Sequence, residues 1–439
     1  MRSFKGGVHP DDRKQRTAGL ALVEAPLPAR VILLMSQHIG APARPVVAQG
    51  ERVLTGQLIG EPQGYISAPV HSSVTGVVAA VETWTSPVSG TRVPAVIIER
   101  DASVRERWAE GTDLPQPDDA LAPEQIRDLI QAAGVVGMGG ATFPTHVKLA
   151  PPADQPIDTV ILNGAECEPY LTCDHRLMLE RSADILQGLR FLLRALNCER
   201  ALIGIESNKP DAFEAMSRAV GPDRRIRVER LPAKYPQGGE HQLIKTLTGR
   251  EVPWRGGLPM AVGVVVQNVA TAFAAYEAVA LRRPLIRRAL TVTGEGVERP
   301  GNYLVRIGAP IAELLASAGL RPDAKKLICG GPLMGIAQRS ADIPVTKGTG
   351  GLLALTEDFS AEFGPCIRCG RCVNACPYGL TPAEISRAVE RVNLDAASDW
   401  NIQECKECGC CAYVCPAKRP IVHQVKFGKA QEKSAGAKA

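Results

Sequence analysis

Two cysteine runs near the end of the sequence constrain this chain more than any other feature. The first reads C-I-R-C-G-R-C-V-N-A-C-P from Cys366, and the second reads C-K-E-C-G-C-C-A-Y-V-C-P from Cys405. Each run contains the spacing C-x2-C-x2-C-x3-C with a proline behind it. In two-cluster iron–sulfur proteins, such a run gives three thiolates to one [4Fe–4S] cluster and its last thiolate to the other.

The eight cysteines therefore predict two [4Fe–4S] clusters that exchange their fourth ligands. The predicted first set is Cys366, Cys369, Cys372 and Cys415, and the predicted second set is Cys405, Cys408, Cys411 and Cys376. Zinc would favour four ligands in two C-x2-C pairs, and disulfides would need an oxidising compartment. Two complete four-cysteine runs, which give eight ligands in all, disfavour both zinc and disulfides. Cys410 is interpreted as a neighbour of the ligands and not as a ligand.

The segment between the two runs predicts a helix. Thr381 is the expected N-cap, and Glu384 is expected to close a capping box. One apolar face, able to pack over the clusters, is predicted from Ile385, Val389 and Val392.

Size and composition narrow the possible function classes. A chain of 439 residues predicts three or four domains. The net charge of +5 is small, and no basic stripe interleaved with aromatics suggests nucleic-acid binding. Thirteen cysteines, eight of them assigned to clusters, indicate a reducing compartment. The polar stretch 1–16 predicts no signal peptide. Residues 259–281 are interpreted as a strand followed by a helix, not as a membrane span.

Residues 30–100 contain short β-like runs punctuated by glycine and proline, which predict a small all-β domain. Their pattern resembles the barrel-sandwich hybrids that include biotinyl and lipoyl carriers. A carrier needs an acceptor lysine, and none occurs between Lys14 and Lys148, so a structural or docking role remains. His38 and His71 are expected to be hydrogen-bonded turn residues. Residues 101–123 are expected to form a linker.

A glycine-rich loop follows a predicted helix that ends at Gly134. Thr142 takes the third glycine place of G-x-G-x-x-G, and a helix precedes the loop where the dinucleotide fingerprint needs a strand. An ordinary dinucleotide site is therefore rejected. Clustered backbone N–H groups could still cradle a phosphate, with Lys148 adding a charge. A tight turn is the alternative.

Alternating strands and helices after this loop predict an α/β layer. One buried strand ends at Asn163, and the acidic residues Glu166, Glu168 and Asp174 follow it, where binding sites lie at the carboxyl ends of strands. Residues 286–355 suggest a β-grasp-like module.

Several motifs together resemble the flavin- and NADH-binding subunit of respiratory complex I: G-x-G-G-x-x-F-P, N-x-x-E-x-E-P, G-G-E and N-V-x-T. With F-K-G-G-V-H-P at Phe4, S-Q-H-I-G-A-P at Ser36, S-A-P-V-H at Ser67 and the double cysteine run, the chain resembles the RnfC family of Rnf-complex subunits from about residue 4 to 428. The Rnf complex is a membrane enzyme that exchanges electrons between NADH and ferredoxin, coupled to ion translocation.

The resemblance implies a non-covalent FMN, two [4Fe–4S] clusters and NAD(H) as substrate. The implied phosphate-binding residues are Gly137, Gly139, Gly140 and Lys148. Asn163, Glu166 and Glu168 would line the flavin ring and the nicotinamide, the two glutamates being the catalytic residues. The rest of the flavin pocket would be Gly239, Glu240, Asn268 and Thr271. In the family, glycine is usual at the position of Thr142.

The expected architecture is multidomain α/β. It comprises a barrel-sandwich hybrid (1–100), a Rossmann-like flavin/NADH domain (115–285), a soluble-ligand-binding β-grasp module (286–355), a two-cluster ferredoxin-like α domain (356–428) and a disordered tail (429–439).

The expected location is peripheral, at the cytoplasmic face of the inner membrane. The implied partners are the membrane-embedded Rnf subunits and the ferredoxin-like RnfB protein, with ferredoxin or flavodoxin reached indirectly. The alternatives are a flavin and iron–sulfur cobalamin reductase and a non-catalytic electron-relay subunit.

Overall fold

A computed structural model describes residues 2–104, 106–113, 121–357 and 362–436. The first strands are β1 Leu22–Glu24, β2 Arg30–Leu34, β3 Arg44–Pro45, β4 Arg52–Val53, β5 Leu58–Glu61, β6 Val70–His71, β7 Gly76–Thr85 and β8 Arg92–Arg100. They form two antiparallel sheets, in the orders β2-β8-β7-β4 and β3-β5-β6. Strand β1 belongs to neither sheet. The small all-β domain predicted for residues 30–100 is therefore present.

The two histidines of this domain differ from each other. His38 lies in a bend, where its Nε2 accepts the N–H of Ala68 at 3.1 Å, as a hydrogen-bonded turn residue should. The same expectation was wrong for His71, which lies in strand β6 with no hydrogen-bond partner for its Nδ1 among the described residues. Burial, with nearby Lys347 adding to it, lowers the pKa of His71 to about 3.

The next part of the chain is an α/β layer. Its elements are α1 Pro123–Ala132, α2 Thr145–Lys148, β9 Thr159–Gly164, α3 Cys173–Glu180, α4 Ser182–Ala195, β10 Ala201–Glu206, α5 Pro210–Val220, β11 Ile226–Leu231, α6 Glu240–Thr248, β12 Val264–Asn268 and α7 Val269–Ala280. The strands are all parallel, in the order β11-β10-β9-β12. Alternate residues of β9 pack on opposite faces: Leu162 joins the core under α4 and α7, and Ile161 joins the core under α6.

Residues 259–281 contain a short 3-10 turn (Pro259–Val262), then strand β12 and helix α7. The strand-then-helix prediction is confirmed. Within the described residues, no helix has the length and apolarity needed to cross a membrane.

A mixed six-stranded sheet follows. Its remaining elements are β13 Arg287–Thr293, β14 Gly301–Arg306, α8 Ile311–Ser317, β15 Lys326–Cys329, β16 Ile336–Gln338 and β17 Gly351–Leu355. The strand order is β1-β14-β13-β17-β15-β16, so β1 crosses from the chain's beginning to pair in parallel with β14. Helix α8 packs on one face through Leu314 and Leu315.

The cysteine-rich part is helical. It contains α9 Arg371–Ala375, α10 Pro382–Glu390, α11 Leu394–Asp399, α12 Cys410–Tyr413 and α13 Ile421–Gly436. Helix α10 begins where the sequence predicts, but the capping box was wrong, because the Thr381 side chain makes no capping bond and Glu384 pairs with Arg387 at 3.0 Å. Val392 was also misplaced on the apolar face: it lies beyond the helix end and is 73% exposed.

The disordered tail expected over 429–439 was wrong for residues 429–436. Helix α13 continues to Gly436, and Lys429 Nζ donates to Glu407 Oε1 at 2.9 Å and to the Cys405 carbonyl. These contacts order residues that composition alone suggested were loose. Residues 437–439 lie outside the described ranges.

Candidate functional site

The glycine-rich loop lies between α1 and α2, beside the start of α7. Gly137 N–H donates to the Phe143 carbonyl at 2.8 Å, and Met138 N–H donates to Thr271 Oγ1 at 2.9 Å. A Cβ placed on Gly139 would lie 3.3 Å from the Asn268 Cβ, whereas one on Gly140 would meet nothing within 4 Å. The loop is therefore closely packed at Gly139 and open at Gly140, and phosphate binding there stays a prediction.

Thr142 adopts a left-handed backbone conformation, with φ of +51°. That region is costly for a β-branched side chain and favours glycine. Its Cγ2 lies against Gly348, and its carbonyl accepts the Ile39 N–H at 3.4 Å. The threonine is thus accommodated in a strained conformation between the all-β domain and the six-stranded sheet.

The carboxyl ends of two neighbouring parallel strands bring Asn163 and Asn268 opposite each other. Asn163 Nδ2 donates to the Gly238 carbonyl at 2.9 Å and so fixes the turn before α6. Asn268 Oδ1 accepts the Ala270 N–H at 2.8 Å, which caps α7, and its Nδ2 donates to Asp174 at 2.6 Å. Both asparagines therefore position neighbouring segments as well as line the strand ends.

Lys148, Gly239 and Glu240 also meet at this edge of the sheet. Gly239 is the N-cap of α6, and Glu240 is the first residue of that helix. Lys148 Nζ lies 2.8 Å from Glu240 Oε1 and 3.3 Å from the Val266 carbonyl. The lysine charge already has a carboxylate partner, so any anion bound here would share it.

The acid loop, residues 165–171, follows β9. Glu166 and Tyr170 adopt left-handed backbone angles of +48° and +69°. The buried Glu166 carboxylate accepts the N–H groups of Asp174 at 2.7 Å and His175 at 3.2 Å, and it thereby holds the N-terminus of α3. Glu166 therefore stabilises the conformation of the acid loop.

Glu168 joins the acid loop to the six-stranded sheet. Its carboxylate accepts the N–H groups of Met334 at 2.8 Å and Leu333 at 3.2 Å, in the turn between β15 and β16. Burial outweighs these bonds and raises the pKa of Glu168 to about 7. The group can therefore change charge near neutral pH.

Lys14, which no sequence motif singled out, lies beneath the acid loop. Its Nζ donates to the carbonyls of Glu166 and Glu168, each at 2.9 Å, and to the Leu171 carbonyl, and it lies 4.0 Å from the Glu166 carboxylate. Burial lowers the pKa of Lys14. In the sequence, the feature that could have pointed to Lys14 was its position just after the F-K-G-G-V-H-P motif.

One further charged side chain of the site, Arg288, was also missed, whereas Asp174 was expected after the strand that ends at Asn163. Arg288, on β13, donates from Nη2 to the Met138 carbonyl at 2.8 Å and from Nε to the Thr349 carbonyl at 3.2 Å. Asp174 lies between Asn268 and the acid loop. Burial, and then the Glu166 charge, raise the pKa of Asp174 to about 6. Distant parts of the chain thus contribute side chains to one place.

The eight cysteines of the two runs separate into two groups around two cavities. The first cavity is lined by the four cysteines of the first set, and the second by the four of the second set. Four thiols around each cavity are a donor set that fits a cubane cluster. Cys410 also lines the second cavity, and its Sγ faces the Tyr235 carbonyl at 3.9 Å.

Tyr235 connects the α/β layer to the second cavity. Its buried hydroxyl donates to the Cys408 carbonyl at 2.7 Å. Its backbone pairs with Val8 through N–H···O contacts of 2.8 and 2.9 Å, and Gly7 N–H donates to the Ala375 carbonyl at 2.9 Å. The F-K-G-G-V-H-P segment therefore runs between the α/β layer and the cysteine-rich helices.

Comparison with known proteins gives four family matches along the chain. These are the RnfC barrel sandwich hybrid domain (residues 2–103), the Nuo51 FMN-binding domain (130–277), the SLBB domain (290–337) and the 4Fe-4S dicluster domain (360–416). They follow one another in the order that the sequence predicted.

Similar proteins match over nearly the whole length. The C subunit of the proton-translocating ferredoxin:NAD(+) oxidoreductase complex of Clostridium ljungdahlii is 45% identical, over 99% of this chain and 95% of its own. The C subunit of the Na(+)-translocating ferredoxin:NAD(+) oxidoreductase complex of Acetobacterium woodii is 44% identical, over 97% and 96%. The chain belongs to this family, the RnfC family.

Membership in the RnfC family confirms the resemblance drawn from the motifs. The matched FMN-binding and 4Fe-4S dicluster domains confirm the expected cofactors, FMN and two [4Fe–4S] clusters. Among solved structures, an NAD+-reducing [NiFe]-hydrogenase in the H2-reduced state is 18% identical with a TM-score of 0.52, covering 71% of this chain and 63% of that chain. That likeness concerns the fold.

Proposed function

We propose that this chain is the NADH-interacting electron-transfer subunit of a membrane-bound, ion-translocating oxidoreductase. It passes electrons between NAD(H), FMN and two [4Fe–4S] clusters, and to or from ferredoxin through partner subunits. The named relatives support this proposal, because they are subunits of ferredoxin:NAD(+) oxidoreductase complexes.

One observation carries the proposal: the glycine-rich loop, the acid loop and the second cysteine cavity are linked by contacts through Asn268, Glu168 and Tyr235. Tyr235 links the α/β layer to Cys408, and Glu168 links the acid loop to the turn at Met334. Bound flavin can take a hydride and release single electrons, and each cluster carries one electron. In this proposal, the chain binds the flavin, the nucleotide and the two clusters at connected places in one chain.

The protein's own residues position these groups. We assign the phosphate of non-covalent FMN to the loop Gly137–Gly140, where Gly140 is open. The ring and the nicotinamide would lie over the strand ends at Asn163 and Asn268, with Glu168 at one side. Glu166 and Lys148 would act mainly by holding the pocket in shape, since both are already paired.

The positions of the two cysteine sets support an order in which electrons would pass between them. The second set contacts the α/β layer through Tyr235 and through Gln242, whose Oε1 accepts the Tyr378 hydroxyl at 2.9 Å. Both cavities are lined only by residues of the cysteine-rich part, so the distinction rests on these two contacts beside the second set. The second set therefore serves the pocket, and the first set serves the exit to a partner.

The finer assignments belong to the same proposal. The domain limits are 1–100, 115–285, 286–355 and 356–428, with the barrel-sandwich, Rossmann-like, β-grasp and ferredoxin-like folds in that order. The chain would sit at the cytoplasmic face of the inner membrane, bound to membrane-embedded subunits and to a ferredoxin-like subunit.

Anaerobic purification and NADH titration test the proposal. We expect about eight iron atoms per chain, as two four-iron clusters require, and flavin that denaturation releases completely. NADH should bleach the flavin and cluster absorbance together. Bleaching by a chemical reductant but not by NADH would contradict the proposal and favour a non-catalytic relay subunit. Reduction of cobalamin at a rate that matches NADH oxidation would favour a cobalamin reductase.

A further inference from the structure

The N-terminal strap, here defined as residues 4–14, contacts both the acid loop and the cysteine-rich helices. Near the end of the strap, Lys14 Nζ donates to three carbonyls of the acid loop. The Asp12 carbonyl accepts the N–H of Tyr170, which belongs to the same loop, at 2.7 Å. The first half of the strap lies against the second cysteine set, so one short segment reaches from the acid loop to that set.

Neighbouring amides of the strap bond to opposite sides. Gly7 N–H donates to the Ala375 carbonyl at 2.9 Å, and Val8 N–H donates to the Tyr235 carbonyl at 2.8 Å. Tyr235 N–H returns a bond to the Val8 carbonyl at 2.9 Å. Ala375 precedes Cys376 of the second set, whereas Tyr235 belongs to the α/β layer. At this point, therefore, a single backbone lies between the α/β layer and the second set.

Two glycines allow this close passage. Gly6 and Gly7 have φ of +75° and +80°. A Cβ on Gly6 would lie 2.6 Å from the Cys376 carbonyl oxygen, and one on Gly7 would lie 2.6 Å from the Tyr235 carbonyl oxygen. Ordinary contact begins at 3.4 Å, so a side chain at either glycine would push its neighbour away by about 0.8 Å. Glycine is therefore required here for its small size as well as for its backbone angle.

The strap is part of a buried cluster that includes both of its neighbours. Val8, Tyr235 and Cys410 form the centre of this cluster. Cys167 of the acid loop and Cys408 of the second set both pack against it. Because protein interiors are closely packed and transmit strain, a displacement of the strap would move the acid loop and the second set relative to each other.

We propose that the N-terminal strap sets the distance between the flavin pocket and the second cluster, with Gly6 and Gly7 as positioning residues for electron transfer. The inference rests on the proposed function, in which the pocket holds FMN and the second set holds a cluster. Each transfer takes one electron from the reduced flavin and gives it to that cluster. Because the rate of such a transfer falls steeply with distance, a separator one backbone thick keeps the transfer fast.

Flash reduction of the full-length chain, with flavin and both clusters bound, tests this proposal. A laser flash with a photosensitiser and a sacrificial donor reduces the flavin, and absorbance then follows transfer to the clusters. In Gly7→Ala this transfer should slow about tenfold or more, because misplacing reacting groups by about 1 Å can cost about a hundredfold in rate. Flavin content, iron content and the KM for NADH should stay at their wild-type values, which a general loss of structure would not allow.

The matched control is Gly50→Ala. Gly50 has a similar φ of +87°, but a Cβ there would meet nothing within 4 Å. The control therefore adds the same backbone strain without the contact, and transfer should keep its wild-type rate. Equal slowing in both variants would reduce the effect to backbone strain and overturn the proposal. Unchanged transfer in Gly7→Ala, with flavin and iron retained, would overturn it as well.

A second variant covers the case in which Gly7→Ala loses flavin or iron. Val8→Ala shortens a buried side chain of the same cluster at a residue whose φ is not in the left-handed region. Slower transfer in Val8→Ala, with both cofactors retained, would support the positioning role. A wild-type rate, or loss of the cofactors in this variant too, would refute it.

Amide hydrogen exchange on the deflavinated chain gives a readout that needs no electron transfer. The Tyr235 amide, which donates to the Val8 carbonyl, should exchange faster in Gly7→Ala and at the wild-type rate in Gly50→Ala. Unchanged exchange in Gly7→Ala would show that the strap is not displaced and would contradict the proposal. Wild-type protein in which the flash drives transfer but NADH reduces nothing would instead refute the proposed function and leave the positioning result independent of it.

Discussion

Replacing Lys14 by methionine should damage the acid loop and leave the clusters intact. Lys14 is buried, and its ammonium group donates to three carbonyls of one loop, those of Glu166, Glu168 and Leu171. Methionine has a similar length and an apolar tip. The substitution therefore fills most of the space while removing every donor and the positive charge.

The expected cost is large for a single side chain. Each buried carbonyl left without a partner costs about 1–3 kcal/mol, so three would cost about 3–9 kcal/mol. The loop also holds Glu166 and Tyr170 in left-handed conformations, each costing about 1–3 kcal/mol. The free energy of unfolding of a domain is only about 5–15 kcal/mol. Because the loss is comparable with that value, we expect the loop to change its conformation in the variant.

Steady-state NADH oxidation with a one-electron dye checks this expectation. The KM for NADH should rise at least about tenfold, which corresponds to about 1.4 kcal/mol of lost binding, while iron content stays at the wild-type value. Lys5→Met is the matched control, because Lys5 lies in the same segment and is exposed. A KM within twofold of the wild type, with flavin retained, would refute the reasoning. Loss of iron in Lys14→Met would show that the lysine supports the whole molecule.

Four further substitutions probe separate parts of the site. Gly139→Asp should abolish flavin retention but not iron binding, because the new side chain meets Asn268 and its charge opposes a phosphate; flavin and iron assays check this. Thr142→Gly should raise the thermal midpoint by relieving about 1 kcal/mol of left-handed strain; an unchanged or lower midpoint would contradict that. Glu168→Gln should raise the KM for NADH severalfold with a normal cluster spectrum. Because the pKa of Glu168 is raised to about 7, we expect the wild-type KM to change near pH 7, and the variant should lack that change. His71→Phe should reduce the dependence of the free energy of unfolding on pH. The pKa of His71 is about 3 in the folded protein and 6.5 in the unfolded chain. The wild type therefore loses stability, by at most about 5 kcal/mol, as pH falls from 6.5 to 3. Urea unfolding across that range measures the slope.

The features that the sequence predicted well are those written in short-range spacing. Each C-x2-C-x2-C-x3-C run places its first three cysteines around one cavity. Its last cysteine lines the other cavity: Cys415 lines the first, and Cys376 lines the second. Likewise, a strand that ends in a polar residue is visible locally, and parallel strands bring their ends to one edge. Asn163 and Asn268 are therefore neighbours although about a hundred residues separate them.

The features that sequence reasoning missed depend on contacts between distant segments. Lys14 meets the acid loop across 152 to 157 residues, and Arg288 meets Met138 across 150. No periodicity or spacing records such a contact. The same limit explains Glu166: a glutamate after a strand looks like a ligand-binding residue, but whether it caps α3 depends on how the loop folds back.

The acid loop depends on segments outside the α/β layer, and this bears on how the domains work. The Lys14 ammonium comes from the N-terminal segment, the N–H groups of Leu333 and Met334 come from the six-stranded sheet, and Tyr235 continues to the cysteine-rich helices. An α/β layer cut out at residues 115 and 285 would lose the Lys14 donor of three carbonyls and the two N–H donors of the Glu168 carboxylate. Such groups are costly when unpaired. The N-terminal segment and the six-stranded sheet therefore contribute to the acid loop itself, because their donors complete it.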